Sequence, residues 1–247
     1  MDVRQYLDST YLKTAGQAGV TDAENLEIAK QAIAEAINGN FKLVMLRPDM
    51  VTMAREMITD AASKVTIGTV IDFPEGRGTL EEKLEEANSA IAYGADDLDF
   101  VVDYHAFING EITEVKQQVL ECTRLGIENN KIVKWIIEVA ALNDHEIVQL
   151  SALIKNIVLS YFDEDAYSRV FVKSSTGFYK TEDGKPNGAT LSSIKLMLEN
   201  SFPLQVKAAG GVKTFEEAQE MIALGVKRIG TSSAKAIVQG ETASDGY

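Results

Sequence analysis

The sequence predicts an α/β fold, a single (β/α)8 TIM barrel, and three observations predict it. Short β-branched apolar runs alternate with stretches of helical periodicity along the whole chain, the pattern of parallel βαβ units. Counting a short first segment near Tyr6-Leu7 gives eight strands, and 247 residues match the usual size of such a barrel. No composition break or low-complexity linker divides the chain, so one domain spans 1–247, with 240–247 a small, polar, flexible tail. A doubly wound open sheet is the alternative, and only the strand count separates the two.

Taken in order, Asp8-Ser9-Thr10 ends the first strand. Thr21 and Glu24 have capping-box spacing, and Leu26, Ala29, Ile33 and Ile37 share one helical face. Phe41 to Leu46 reads as a strand stopped by Pro48, followed by a helix from Val51 to Ala62. Val65 to Ile71 is β-branched and ends in a turn at Asp72 to Gly76; Thr79 and Glu82 then cap a helix whose inner face carries Leu84, Ala87 and Ile91. Leu98 to Val102 is the next strand, and a helix bearing Val115, Val119 and Cys122 leads to a strand from Ile132 to Glu138. Asn143 with Glu146 opens the helix of Ile147, Leu150 and Ile154; Asp163-Glu164-Asp165 reads as solvated loop or frayed helix end. A strand closing on Lys173, a polar insertion from Tyr179 to Gly188, and a helix from Leu191 to Leu198 follow. The Lys207 strand, a helix from Phe215 to Leu224 and a strand from Lys227 to Gly230 complete the series.

Composition narrows the function classes. The net charge of −13 argues against nucleic acid or an anionic membrane as partner. No apolar run approaches the roughly 18 residues of a membrane span, and the N-terminus leads to no apolar segment of a signal peptide. Cys122, the only cysteine, permits no intrachain disulfide and fits a cytoplasmic setting; its apolar helical stripe makes it a core thiol. His105 and His145 stand far apart without a Cys/His cluster, so no zinc or other metal site is expected.

Two strands end on a lysine, a residue rarely buried without a partner. They are Val170-Phe171-Val172-Lys173-Ser174-Ser175-Thr176-Gly177 and Leu204-Gln205-Val206-Lys207-Ala208-Ala209-Gly210-Gly211-Val212-Lys213. Strand alternation puts Asp97, Asp99, Val101 and Asp103 on one side of one strand, and Lys134, Ile136 and Glu138 on one side of the next. Pointing inward, Asp99, Lys134, Lys173 and Lys207 make a mixed-charge cluster at the C-terminal mouth. A structural ion-pair network and a functional site both fit, and spacing alone leaves them open.

Adjacent strands run ~4.8 Å apart. Ammonium groups ~5 to 6 Å apart at an effective dielectric of ~20 repel by roughly 3 kcal/mol, about two pKa units. A lysine starting near ~10.4 then titrates near ~8, and its neutral amine can attack a carbonyl to form an imine. Asp99 supplies a group that moves protons during that chemistry. Three small-residue segments, Thr176-Gly177, Gly210 to Lys213 and Gly230-Thr231-Ser232-Ser233, are suited to an anion; the last two follow the final two strands, a common place for phosphate in such barrels.

These residues resemble the 2-deoxyribose-5-phosphate aldolase family of class I aldolases, over essentially the whole chain. The resemblance is strongest in Gly94 to Val102, in Val172 to Gly177 and in Lys207 to Lys213. It implies that Lys173 forms the Schiff base, that Lys207 perturbs its pKa, that Asp99 assists proton transfer and that Lys134 is linked to that network. It also implies Asp8 and Thr10 near the substrate, and Gly177, Gly210, Gly211, Lys213, Gly230, Ser232 and Ser233 about the phosphate, beside Thr176. A C-terminal tyrosine that promotes proton exchange at the enamine carbon maps to Tyr247. The implied substrates are a small sugar phosphate and aldehydes; no cofactor or metal is required, since the iminium takes the place of a Lewis acid. The implied assembly is a homo-oligomer, a dimer or higher.

The chain also departs from the family pattern. Lys213 stands where arginine is common, offering a point charge in place of a bidentate fork. Phe178 replaces a lysine seen in some members, Met45 stands where several members carry a cysteine near the site, and the loop after Phe178 is long. Phosphate preference and substrate breadth are what these changes bear on. The competing readings are a related aldolase acting on another or unphosphorylated sugar, a phosphate-binding barrel isomerase or synthase, and a noncatalytic sugar-phosphate sensor.

Overall fold

A computed structural model describes residues 2–182 and 184–240 of the chain. Eight short strands form the barrel: β1 Leu7–Thr10, β2 Leu43–Leu46, β3 Thr66–Ile71, β4 Asp97–Val101, β5 Ile132–Ile136, β6 Val170–Lys173, β7 Gln205–Ala209 and β8 Arg228–Thr231. Every neighbouring pair is parallel, and β8 pairs with β1, which closes the sheet. Closure excludes the open doubly wound sheet. β1 pairs through Asp8, Ser9 and Thr10, residues expected only to end it, while Tyr6 belongs to a 3-10 turn before it.

Each strand is followed by a helix on the outside. The spacing-based caps all form: Thr21, Thr79 and Asn143 each accept from the backbone three residues on, and Glu24, Glu82 and Glu146 reach back to the cap. These caps open helices Asp22–Gly39, Leu80–Tyr93 and Asp144–Tyr161. The acidic stretch after the last of these, expected as solvated loop or frayed helix end, leads from Asp163 into a separate short helix, Glu164–Tyr167. The strand expected to reach Glu138 stops at Ile136, and Glu138 has φ +54°, in the left-handed region. Period-two alternation therefore does not carry as far as Glu138.

The main apolar core lies between the strands and the helix layer, where Val44, Ile67, Leu98, Trp135, Val172 and Ile229 are buried. Trp135 stacks on Phe100 with ring centroids 5.1 Å apart and donates to the Thr123 hydroxyl at 2.9 Å, so its one polar atom is satisfied. Cys122 is buried in this layer, and burial pushes its thiol up to about 12, the behaviour of a core thiol. With the outward faces of the strands committed to apolar packing, the inward faces are left to carry charge. No helix of the described residues is long and apolar enough to cross a membrane.

Candidate active site

The barrel interior is built from strand register. Asp99 on β4 is opposite Lys134 on β5, Lys173 on β6 is opposite Lys207 on β7, and Lys207 is opposite Arg228 on β8. All of these side chains are buried, as are Asp8 on β1 and Asp97 on β4. The Asp99 carboxylate accepts from Lys134 at 2.7 Å through one oxygen, and from Lys173 at 2.9 Å and Lys207 at 3.0 Å through the other. Lys207 also lies 2.6 Å from Asp8, and Arg228 bridges Asp8 at 3.1 Å and Asp97 at 2.6 Å. Asp97 returns to Lys134 at 2.7 Å, which closes the network.

Charge counting picks out one group. Three carboxylates, Asp8, Asp97 and Asp99, balance three cations, Lys134, Lys207 and Arg228. The cluster is neutral when Lys173 is neutral. A proton on Lys173 adds a net positive charge in a buried site, which desolvation penalises. The Lys173 amine is accordingly pulled down to about 8, first by burial, against the opposing pull of Asp99, with the charge of Lys207 adding to the lowering. Repulsion by Lys207 thus acts in the expected direction, but burial leads. At pH 7 a pKa near 8 leaves about a tenth of the amine neutral.

Burial alone would raise the Asp99 carboxyl, but the charges of Lys134, Lys173 and Lys207 overcome it and hold Asp99 well below the usual carboxylate range. Asp8 is lowered against its own burial by Arg228 and Lys207. Both Asp8 oxygens are held by these charges without a well-directed hydrogen bond. Lys134 is raised against its burial by Asp97 and Asp99. Asp99 is thus a permanent anion that orients amines.

Of these lysines, Lys173 lines the cavity at the C-terminal mouth. The same cavity is lined by Thr10, Thr176, Gly177, Gly210, Gly211, Lys213, Gly230, Ser232 and Ser233, so the three anion-suited segments meet there. Backbone ties hold them together: the Thr231 hydroxyl donates to the Val212 carbonyl at 2.7 Å, and Ser174 bridges to Ala209, donating at 2.8 Å and accepting at 2.9 Å. Gly230 also has a reason unrelated to any anion, since a Cβ there would stand 3.0 Å from Lys207 Cε; its bare backbone gives that side chain its path. Gly210, at φ +81°, packs so closely on Gly188 that a Cβ on Gly188 would meet the Gly210 carbonyl oxygen at 2.5 Å.

Other expected residues stand further back. Asp8 and Lys134 are wholly buried and touch charged neighbours below the cavity floor. Met45 is wholly buried in an apolar cluster with Leu12, Leu43 and Val70, against which Phe73 and Phe178 pack edge to face with centroids 5.1 Å apart. Tyr247 lies outside the described residues. Two residues were not anticipated as part of the site. Arg228 opens β8 inside the charge network, and an arginine within a short apolar strand is the same signal that drew attention to Lys173. Glu138 follows the apolar run of β5, is buried, and lies under the loop after β6: its Oε2 accepts from the Thr176 amide at 3.1 Å and from the Thr176 hydroxyl.

A closed parallel barrel whose mouth presents a buried lysine amine near neutrality, beside an obligate carboxylate and glycine-lined turns, is an enzyme equipped for carbonyl chemistry through a lysine imine, a class I aldolase. Comparison with known proteins agrees. The chain belongs to the DeoC/LacD family of aldolases, whose family profile matches residues 5–240. It is 34% identical to the deoxyribose-phosphate aldolase of Thermococcus gammatolerans over 97% of this chain and 96% of that one. It is also 34% identical to that of Lactococcus lactis, over 100% of both chains. Among solved structures, the tetrameric deoxyribose phosphate aldolase of Aeropyrum pernix aligns at TM-score 0.76 with 25% identity, covering 96% of this chain and 90% of that one.

Proposed function

We propose that the chain is a Schiff-base aldolase that reversibly cleaves 2-deoxy-D-ribose 5-phosphate to acetaldehyde and D-glyceraldehyde 3-phosphate. The observation that carries this reading is Lys173: it lines the cavity, its protonation unbalances the network beneath it, and its pKa falls to about 8.

The neutral Lys173 amine adds to C1 of the open-chain sugar, and loss of water from the carbinolamine leaves an iminium. The C3 hydroxyl proton passes to water oriented by Asp99, because a carboxylate held so far below its usual range orients a proton acceptor better than it stores a proton. The C2–C3 bond breaks, its electron pair moves into the iminium, and glyceraldehyde 3-phosphate leaves as an aldehyde. Protonation of the enamine at C2 and hydrolysis release acetaldehyde and restore Lys173. Lys207 and Lys134 hold Asp99 in place and keep the network balanced without the Lys173 proton. Lys213, Gly177, Gly210, Gly211 and Ser232-Ser233 are assigned to the phosphate, with Thr10 and Thr176 beside the sugar. Tyr247, at the end of the 240–247 tail, is assigned to proton exchange at C2 on the strength of the resemblance. A single domain over 1–247, a cytoplasmic setting and a homo-oligomeric state belong to the same reading, the last supported by the tetramer of the Aeropyrum pernix relative.

The test is product analysis. Deoxyribose 5-phosphate incubated with the protein should yield acetaldehyde and glyceraldehyde 3-phosphate in equal amounts, well ahead of unphosphorylated deoxyribose. Sugar consumed without acetaldehyde would mark an isomerase, and sugar bound but unchanged would mark a sensor.

A further inference from the structure

Glu138 presents a proton-counting problem. The Ser175 hydroxyl lies 2.8 Å from Glu138 Oε1 and 2.6 Å from the Asn187 carbonyl oxygen, and the Gly177 amide donates to it at 2.9 Å. A hydroxyl has one hydrogen, while an ionised carboxylate and a backbone carbonyl are both acceptors only. With Glu138 ionised, one of the two short contacts brings two acceptors together without a hydrogen. A proton on Glu138 Oε1 resolves both: the acid donates to Ser175, and Ser175 donates to Asn187. The other oxygen, Oε2, then keeps the Thr176 amide and hydroxyl as donors.

The surroundings agree. Glu138 is 1% exposed, and no cation among the described residues lies within ion-pairing distance of it. A buried, unpaired carboxylate is costly, and such a group takes up a proton instead. Among the described residues, the Lys173 charge acts on Glu138, and Glu138 in turn acts on the Tyr104 hydroxyl. Burial pushes the Glu138 carboxyl upward; the bonds from Thr176 and Ser175 and the more distant Lys173 pull the other way and do not cancel it.

We propose that Glu138 is a positioning residue kept as a neutral carboxylic acid, which donates to Ser175 and thereby holds Thr176 and Asn187 in place around the cavity. Asn187 is where this matters, since its side chain donates to the Gly177 carbonyl at 3.2 Å, and Ala189 just beyond donates to Gly210 at 2.9 Å. The proton therefore braces the segment after β6, which the Ala189 amide in turn binds to the turn after β7, and both turns line the cavity that holds Lys173. The functional part of this inference rests on the aldolase reading; the protonation state does not.

The variants are Glu138→Gln, whose amide can donate to Ser175 and accept from Thr176 as the neutral acid does, and Glu138→Ala, which can do neither. The expected result is KM for deoxyribose 5-phosphate within about threefold of wild type for Glu138→Gln and raised roughly tenfold or more for Glu138→Ala. Infrared difference spectra at pH 7 should show a protonated carboxyl band that Glu138→Gln lacks. Equal impairment of both variants, with an ionised carboxylate band for Glu138, would overturn the proposal. If Glu138→Ala does not fold, Ser175→Ala removes the same bridge and should raise KM in its place. If the protein proves not to be an aldolase, the infrared band still decides the state of Glu138.

Discussion

Lys173 and Lys207 face each other in register on β6 and β7, and both ammonium nitrogens rest on one oxygen of Asp99, at 2.9 and 3.0 Å. Asp99 prevents the repulsion between them from expelling either side chain, while burial still favours losing one proton. Lys207 is pinned a second time by Asp8, 2.6 Å away, whereas Lys173 has the cavity on its other side. In the proposed reaction it is access to the cavity that makes Lys173, and not Lys207, the nucleophile.

The first prediction concerns pH. kcat/KM should rise with pH along a limb near 8, as the free Lys173 amine loses its proton. Lys207→Met removes a like charge, so the limb should move up, and activity at pH 7 should fall about tenfold per unit of movement. Asp99→Asn removes the partner that stabilises the Lys173 cation, so its limb should move down, yet kcat should fall by about 10²–10⁴ because proton transfer loses its anchor. Opposite movements of the two limbs, read from pH–rate profiles, check the charge balance. The same group affects stability. The Lys173 pKa is lower in the folded chain than its ordinary 10.5, so the penalty for burying its charge is full below about 8 and relieved between the two values. Lys173→Met should therefore melt higher than wild type at pH 7, with the gap narrowing toward pH 10.5.

Arg228 should be a stability residue first. It pairs with Asp8 and Asp97, both buried, so Arg228→Met leaves two carboxylates short of a cation. Denaturant unfolding should show a loss of about 3–5 kcal/mol.

Much of this was legible in the sequence, because the same features that specify the fold mark the site. A lysine closing the run Val170-Phe171-Val172 breaks the apolar expectation of a buried strand and was visible as such. The capping boxes at Thr21, Thr79 and Asn143 were visible because a cap is a local, three-residue relationship. Glu138 was not legible, because its role depends on a left-handed turn after β5 and on a loop of β6 brought over it only by the closed barrel. Buried Lys83 was missed for a similar reason: it sits on a helix among exposed glutamates, and only the fold shows that it reaches Asp72 and the Gly76 and Val101 carbonyls. Short-range pattern reveals elements and anomalous charges, while long-range pairing decides their partners.

The phosphate assignment makes a selective prediction. Lys213 lines the cavity as a point charge, so Lys213→Gln should raise KM for deoxyribose 5-phosphate about tenfold or more and leave turnover of unphosphorylated deoxyribose little altered. Parallel steady-state kinetics with the two sugars check it.

The assignment of Tyr247 to proton exchange at C2 concerns one step of the proposed reaction. Tyr247→Phe should slow exchange of solvent deuterium into acetaldehyde by about 10²-fold or more, while imine formation at Lys173 persists. Proton NMR of acetaldehyde in heavy water reads the exchange directly.

The central claim is that Lys173 forms the imine, and borohydride reduction in the presence of deoxyribose 5-phosphate, followed by peptide mass spectrometry, tests it most directly. The predicted result is a reduced two-carbon adduct on Lys173, which reports the nucleophile and the C2–C3 cleavage together. An adduct on Lys207, or none in folded protein that binds the sugar, would contradict it.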